Sequence, residues 1–133
     1  MIEARGLNKR FGELIAVHDV SFAARDGAIT GLVGPNGAGK STTLRMLYTV
    51  LRPDAGTGVI DEIDVVREPL AARARLGVLP HASGLYPNLT ARENIRYFGA
   101  LHGLERAPLE ARVADLVRLL ELESIADRRA RGF

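Results

Sequence analysis

One stretch restricts this chain more than any other. Residues Gly34-Pro35-Asn36-Gly37-Ala38-Gly39-Lys40-Ser41 meet the pattern G-x-x-x-x-G-K-[ST] at every fixed position. Upstream, Ala28, Ile29, Leu32 and Val33 make 28–33 an almost continuous apolar and small-residue run, the pattern of a strand covered on both faces of a parallel sheet. Downstream, Leu44, Leu47, Tyr48 and Leu51 recur at helical spacing until Arg52-Pro53 stops them. The order is strand, glycine loop, helix. Glycines let consecutive main-chain N–H groups converge on one concavity, and the helix that follows adds its unpaired first-turn donors and the positive end of its dipole. Such a cup takes phosphate. The pattern assigns Lys40 to the β and γ phosphates, Ser41 to Mg²⁺ through its hydroxyl, and Thr42 to the α phosphate, with Gly34, Pro35, Asn36, Gly37, Ala38 and Gly39 forming the wall. No G-x-G-x-x-G is present, so a dinucleotide-binding loop is excluded.

Composition sets the surroundings. In 133 residues, 47% hydrophobic and 26% charged, the balance is that of an ordinary globular chain. Lys and Arg number 18 against 16 Asp and Glu, so charge does not point to nucleic acid. There is no cysteine, which removes disulfide frameworks, thiolate metal sites and cysteine nucleophiles. No apolar run approaches the roughly 18 residues of a membrane-spanning helix, and the first ten residues do not read as a signal peptide.

Around the loop, the alternation through Val20 and Phe22 after the apolar 14–17 predicts a strand ending at Asp26-Gly27, and 2–7 is a weaker strand candidate. Residues 54–58 read as a turn, 70–74 as a short helix, and 76–79 as a second short core strand. Thr90-Ala91-Arg92-Glu93 has the form of a capping box, so a helix carrying Ile95, Phe98 and Leu101 should begin at Ala91. A further helix carries Leu109, Val113, Leu116, Val117 and Leu120. Asp61-Glu62 tempts one toward a magnesium-binding acidic pair, but Gly56 and Gly58 interrupt the long apolar strand such a pair requires, and a turn beside a strand is the better reading.

Among phosphate-loop proteins, the guanine-nucleotide class fits poorly: Asn8-Lys9-Arg10-Phe11 lacks the Asp of N-K-x-D and precedes the loop, and no D-x-x-G follows it. The sequence resembles instead the ATP-binding subunit of ABC transporters, through Leu7-Asn8-Lys9-Arg10-Phe11-Gly12, Val20-Ser21-Phe22, the loop itself, Gly84-Leu85-Tyr86-Pro87 and Leu89-Thr90-Ala91-Arg92-Glu93-Asn94, in this order. The last group is most similar to the bacterial subfamily exporting drugs, sodium or polysaccharide. The resemblance runs from Leu7 to Phe133.

That resemblance implies an α/β P-loop NTPase fold with antiparallel N-terminal strands, a partial parallel core sheet and a C-terminal helical segment. It divides 1–133 into a core, 1–80, and a Q-loop with the start of a helical subdomain, 81–133. It implies ATP and Mg²⁺ as ligands, Phe11 as the aromatic that stacks on adenine, and His81 at the position of the Q-loop glutamine. The implied partners are a membrane permease subunit and a second ATP-binding subunit arranged head to tail, with the protein on the cytoplasmic face of the membrane. The family's signature, the Asp-Glu pair that follows its later apolar strand, and its switch histidine do not occur in these residues. The resemblance therefore implies the N-terminal part of an ATPase, able to bind and not to turn over efficiently by itself. A non-catalytic module with a vestigial loop, and another P-loop enzyme such as a kinase, are the alternatives.

Overall fold

The computed structural model describes residues 1–79 and 84–131. The chain divides into two compact units, Met1–Val78 and Leu79–Phe133.

The first unit is built on a four-stranded antiparallel sheet in the order β2-β1-β3-β4. Strands β1 (Ile2–Phe11) and β2 (Leu14–Ala24) form a long hairpin closed by Gly12-Glu13, which sets Phe11 opposite Leu14. Its register shifts between Ala4 and Arg10. Asn8 holds this irregular stretch together: its Nδ2 donates to the Gly6 carbonyl at 2.9 Å, and its Oδ1 accepts from the Asp19 N–H at 3.0 Å. A bulge leaves ladder groups unpaired, and the Asn amide supplies the missing partners. The alternation through Val20 and Phe22 is thus a strand, ending two residues before the Asp26-Gly27 turn.

Strand β3 (Ala55–Ile60) pairs with β1, and a tight turn at Asp61-Glu62, both in left-handed backbone, leads to β4 (Ile63–Asp64). The acidic pair lies in a turn beside a strand, as its sequence setting indicated. Of residues 54–58, expected as a turn, 55–58 are the start of β3. The glycines misled for a physical reason: Gly56 has φ +77 and a Cβ there would collide with the Gly6 carbonyl oxygen, while one at Gly58 would strike the side chain of Leu47. They permit close approach within a strand instead of reversing the chain.

Helix α1 (Lys40–Leu47) lies against this sheet. Ala4, Leu7, Val17, Met46 and Leu47 make the buried core between them, and Ile60, Val65 and Ala72 of the short helix α2 (Pro69–Arg73) make a second cluster. The buried face of α1 runs through Thr43, Met46 and Leu47, and Leu44 of the expected stripe is exposed.

The expected parallel sheet is not formed among the described residues. All four strands of the sheet are antiparallel, and neither 28–33 nor 76–79 is a strand. Val33 is 92% and Leu79 93% exposed. A strand obtains its hydrogen bonds from neighbours, and no described segment runs alongside either stretch to supply them. The α/β class stands.

The second unit pairs α3 (Ala91–Leu101) with α4 (Arg106–Leu119). The capping box is present in both directions: the Glu93 N–H donates to Thr90 Oγ1 at 3.1 Å, and the Thr90 N–H donates to Glu93 Oε2 at 2.7 Å. Leu109, Val113 and Val117 are buried, whereas Phe98 and Leu101 of the α3 stripe are exposed. The α3 residue that goes inside is Asn94, 2% exposed. Its Oδ1 accepts from the Tyr86 N–H at 2.8 Å, and its Nδ2 reaches the Tyr86 and Thr90 carbonyls at 3.1 and 2.9 Å. A buried amide so fully bonded fixes the loop ahead of its own helix.

Candidate phosphate-binding site

The loop 34–39 and the first turn of α1 hang on β2. Gly39 is the hinge: it sits at φ +81, and a Cβ on it would collide with the Ala16 carbonyl oxygen and crowd Val17. Only glycine brings the start of α1 this close to the strand. The loop folds back on itself where the Ala38 N–H donates to the Pro35 carbonyl, and α1 begins when the Thr43 N–H reaches the Gly39 carbonyl at 2.8 Å. Gly39 offers no side-chain cap, and the first turn of α1 has no acidic residue. The amides of Gly37, Gly39, Lys40, Ser41 and Thr42 meet no acceptor among the described residues. Four donors at a helix start always lack helical partners; here they open on a cleft.

That cleft has a volume of about 370 Å³ and is lined by Asn36 to Thr42 on one side and by Phe11, Leu14, Ile15 and Ala16 on the other. No acidic side chain lines it among the described residues. The Lys40 ammonium bridges the loop, donating to the carbonyls of Gly34 at 2.7 Å and Pro35 at 2.6 Å, and the Ser41 side chain is exposed. Acceptor-free N–H groups, a lysine held only by neutral carbonyls and an exposed hydroxyl form a donor set for anionic oxygens, with the hydroxyl suited to a hard cation carried by them. The cradle therefore suits a phosphate chain with its magnesium, and hydroxyl oxygens of the kind magnesium takes line it at Ser41 and Thr42.

The structure thus brings Phe11 and the residues from Asn36 to Thr42 to one cleft. Gly34 and Pro35 contribute through their carbonyls to Lys40. His81 lies outside the described residues. Asp61 and Glu62 line a different surface, with Met1, Glu3, Asp26 and Asp64, where Asp61 Oδ1 accepts from the Met1 ammonium at 2.9 Å. His18 faces Asn8, with Nδ1 3.2 Å from Oδ1.

Three lining residues, Leu14, Ile15 and Ala16, were not anticipated as parts of a site. A two-residue turn after Phe11 was the signal that could have found them, since it pairs Phe11 with Leu14 and carries the rest of β2 under the loop. Beside Phe11, outside the cleft lining, stand two further residues that were not anticipated, Lys9 and Asp54. The Lys9 ammonium lies 5.7 Å from the Phe11 ring centroid and donates to Asp54 Oδ1 at 2.6 Å. That hydrogen bond, with a second from the Arg10 N–H, holds the Asp54 carboxyl below the usual carboxylate range. Nothing in the spacing of these residues marked them.

A family model described as ABC transporter matches residues 17–132. The chain belongs to the ABC transporter family. The chain is 39% identical over 138 residues to the ABC transporter ATP-binding protein NatA of Bacillus subtilis, covering 100% of this chain and 56% of that protein. It is 42% identical over 128 residues to the Nod factor export ATP-binding protein I of Bradyrhizobium diazoefficiens, covering 96% of this chain and 42% of that one. Among solved structures it matches a dimeric ATP-binding cassette in a post-hydrolysis state bound to ADP and Pi, with a TM-score of 0.83 and 25% identity over 100% of this chain and 63% of the other. The chain spans about half the length of the curated relatives it matches. The fold is that of part of an ABC ATPase domain. No helix among the described residues is long and apolar enough to cross a membrane.

Proposed function

We propose that this chain binds Mg-ATP in the cleft between the 34–42 loop and Phe11, as part of the ATPase subunit of an ABC exporter. The observation that carries this reading is that the amides of Gly37, Gly39, Lys40, Ser41 and Thr42 meet no acceptor among the described residues and that these residues line one cleft with the aromatic Phe11. The amides and Lys40 hold the phosphates, Ser41 offers its hydroxyl to the magnesium that travels with them, and Thr42 closes on the α phosphate. When bound, magnesium offsets phosphate charge. Phe11, 49% exposed, presents a ring for the adenine, a contact of about 1–3 kcal/mol by analogy with base stacking elsewhere.

Binding and turnover separate in this reading. Phosphoryl transfer to water requires a group that orients the water, and no carboxylate among the described residues lines the cleft. His81, at the position of the Q-loop glutamine, is the candidate for contact with magnesium or the attacking water. The two units correspond to the ATP-binding core and the start of the helical subdomain. A membrane permease at the cytoplasmic face and a second ATP-binding subunit, head to tail, are the proposed partners; support comes from relatives named as exporter ATP-binding proteins and from a related cassette solved as a dimer.

Calorimetric titration with Mg-ATP and with magnesium tripolyphosphate tests the reading. Lys40→Ala removes a charge-assisted contact and should weaken both ligands about 10- to 100-fold. Phe11→Ala should weaken ATP alone. Equal ATP affinity in the unchanged chain and Lys40→Ala would reject the phosphate role.

A further inference from the structure

The Phe11 ring stands at the end of β1 with half its surface exposed and meets no other aromatic side chain among the described residues. An isolated ring on a strand end is free to turn about χ1 and χ2, and a stacking platform that turns loses part of its value. One contact opposes this. The Lys9 ammonium lies over the ring, 5.7 Å from its centroid, within the range of a cation–π interaction. Lys9 itself is not loose: its side chain is 14% exposed, and its ammonium is tied to Asp54 Oδ1 at 2.6 Å. Asp54 is fixed in turn. Its Oδ2 accepts from the Arg10 N–H at 2.7 Å, and its own N–H donates to the Asn8 carbonyl at 2.9 Å, so the carboxylate is bolted to the β1 backbone on either side of Lys9.

The placement is directional. Phe11 lines the cleft over the phosphate loop, whereas neither Lys9 nor Asp54 does. The cation therefore meets the ring away from the cleft lining and draws π density toward itself, which leaves the open face a better support for an electron-rich purine. We infer that Lys9 and Asp54 are positioning residues for the base of the bound nucleotide, acting through Phe11 as a fixed bracket behind its ring. The inference rests on the nucleotide reading above and adds to it two residues that touch neither phosphate nor base.

The experiment measures, in the full chain, the ratio of Mg-ATP affinity to magnesium tripolyphosphate affinity, because tripolyphosphate uses the loop and has no base. In the unchanged chain ATP should bind more tightly. Lys9→Met removes the charge and keeps the stem; it should cut the ATP advantage about two- to fivefold and leave tripolyphosphate binding as it was. Asp54→Asn, which frees the ammonium without removing it, should act in the same direction by less, and Lys9→Arg should retain the advantage. Phe11→Trp supplies a fluorescent reporter in a chain that has no tryptophan, and its quenching by ATP should shrink when Lys9→Met is added.

An unchanged ratio in Lys9→Met overturns the inference, as does loss of tripolyphosphate binding in both Lys9→Met and Asp54→Asn, which would assign the pair to tying β1 to β3. If tripolyphosphate binding is lost in Lys9→Met alone, the ratio in Asp54→Asn decides. Failure of the unchanged chain to bind either ligand would instead overturn the nucleotide reading on which the bracket depends.

Discussion

Helices α1 and α3 begin in opposite ways. Thr90 and Glu93 close the start of α3 by donating and accepting across one turn, so that its first-turn donors are served by the protein. Helix α1 starts at a glycine in left-handed backbone with no side-chain cap and no acid in its first turn, and its early amides face a cleft. A capped terminus serves stability; a bare one, held open against β2 at Gly39, is available to an anion. The two termini belong to one chain, and of the two it is the bare one that leaves donors open, as the proposed nucleotide role requires.

The largest effect should come from breaking the hinge of the open terminus. Gly39→Ala places a Cβ against the Ala16 carbonyl oxygen and forces a left-handed φ on a residue with a side chain. It should lower stability by about 2–4 kcal/mol in urea unfolding and abolish Mg-ATP binding. Thr90→Ala opens the closed terminus; the expected loss is about 1 kcal/mol in the same assay, with Mg-ATP affinity unchanged. Ser41→Asp closes the open one. Without ligand it should raise stability by about 0.3–1 kcal/mol, because a carboxylate now faces the α1 dipole, and Mg-ATP binding should disappear.

The smallest effect is on pH dependence. The Glu93 carboxyl is held below its ordinary range by the Thr90 backbone hydrogen bond first and the Thr90 side chain second. Its pKa is lower folded than unfolded, so its contribution is fully present above the unfolded value and is lost as pH falls through the folded one. Acid titration followed by circular dichroism should show Glu93→Gln flattening this part of the stability curve. No equivalent acid sits in the first turn of α1, so acid should leave that terminus without a matching loss.

What could be read from the sequence follows from how local each structure is. The capping box closes its own hydrogen bonds within four residues, and α1 and the Asp61-Glu62 turn are set by contiguous sequence, so their sequences announce them. The stretch 28–33 has strand composition without strand partners, and composition cannot supply a neighbour. At Gly56 and Gly58 the sequence shows two turn-prone residues; the structure shows a strand that needs room for Gly6 and Leu47, a requirement set by residues far away in the chain. The loop residues were legible because the phosphate-binding pattern is contiguous. The Lys9–Asp54 pair was not, since 45 positions separate two ordinary charged residues that meet only after β1 and β3 pair.

In the proposed nucleotide complex, main-chain amides of the 37–42 segment grip the triphosphate. Amide NMR spectra of the chain, recorded as Mg-ATP is added, test this directly. The account predicts that the largest shifts fall on Gly37, Gly39, Lys40, Ser41 and Thr42, appear equally with magnesium tripolyphosphate, and leave the Thr90 and Glu93 amides in place. Binding that shifts other residues while these five amides stay unmoved would contradict it.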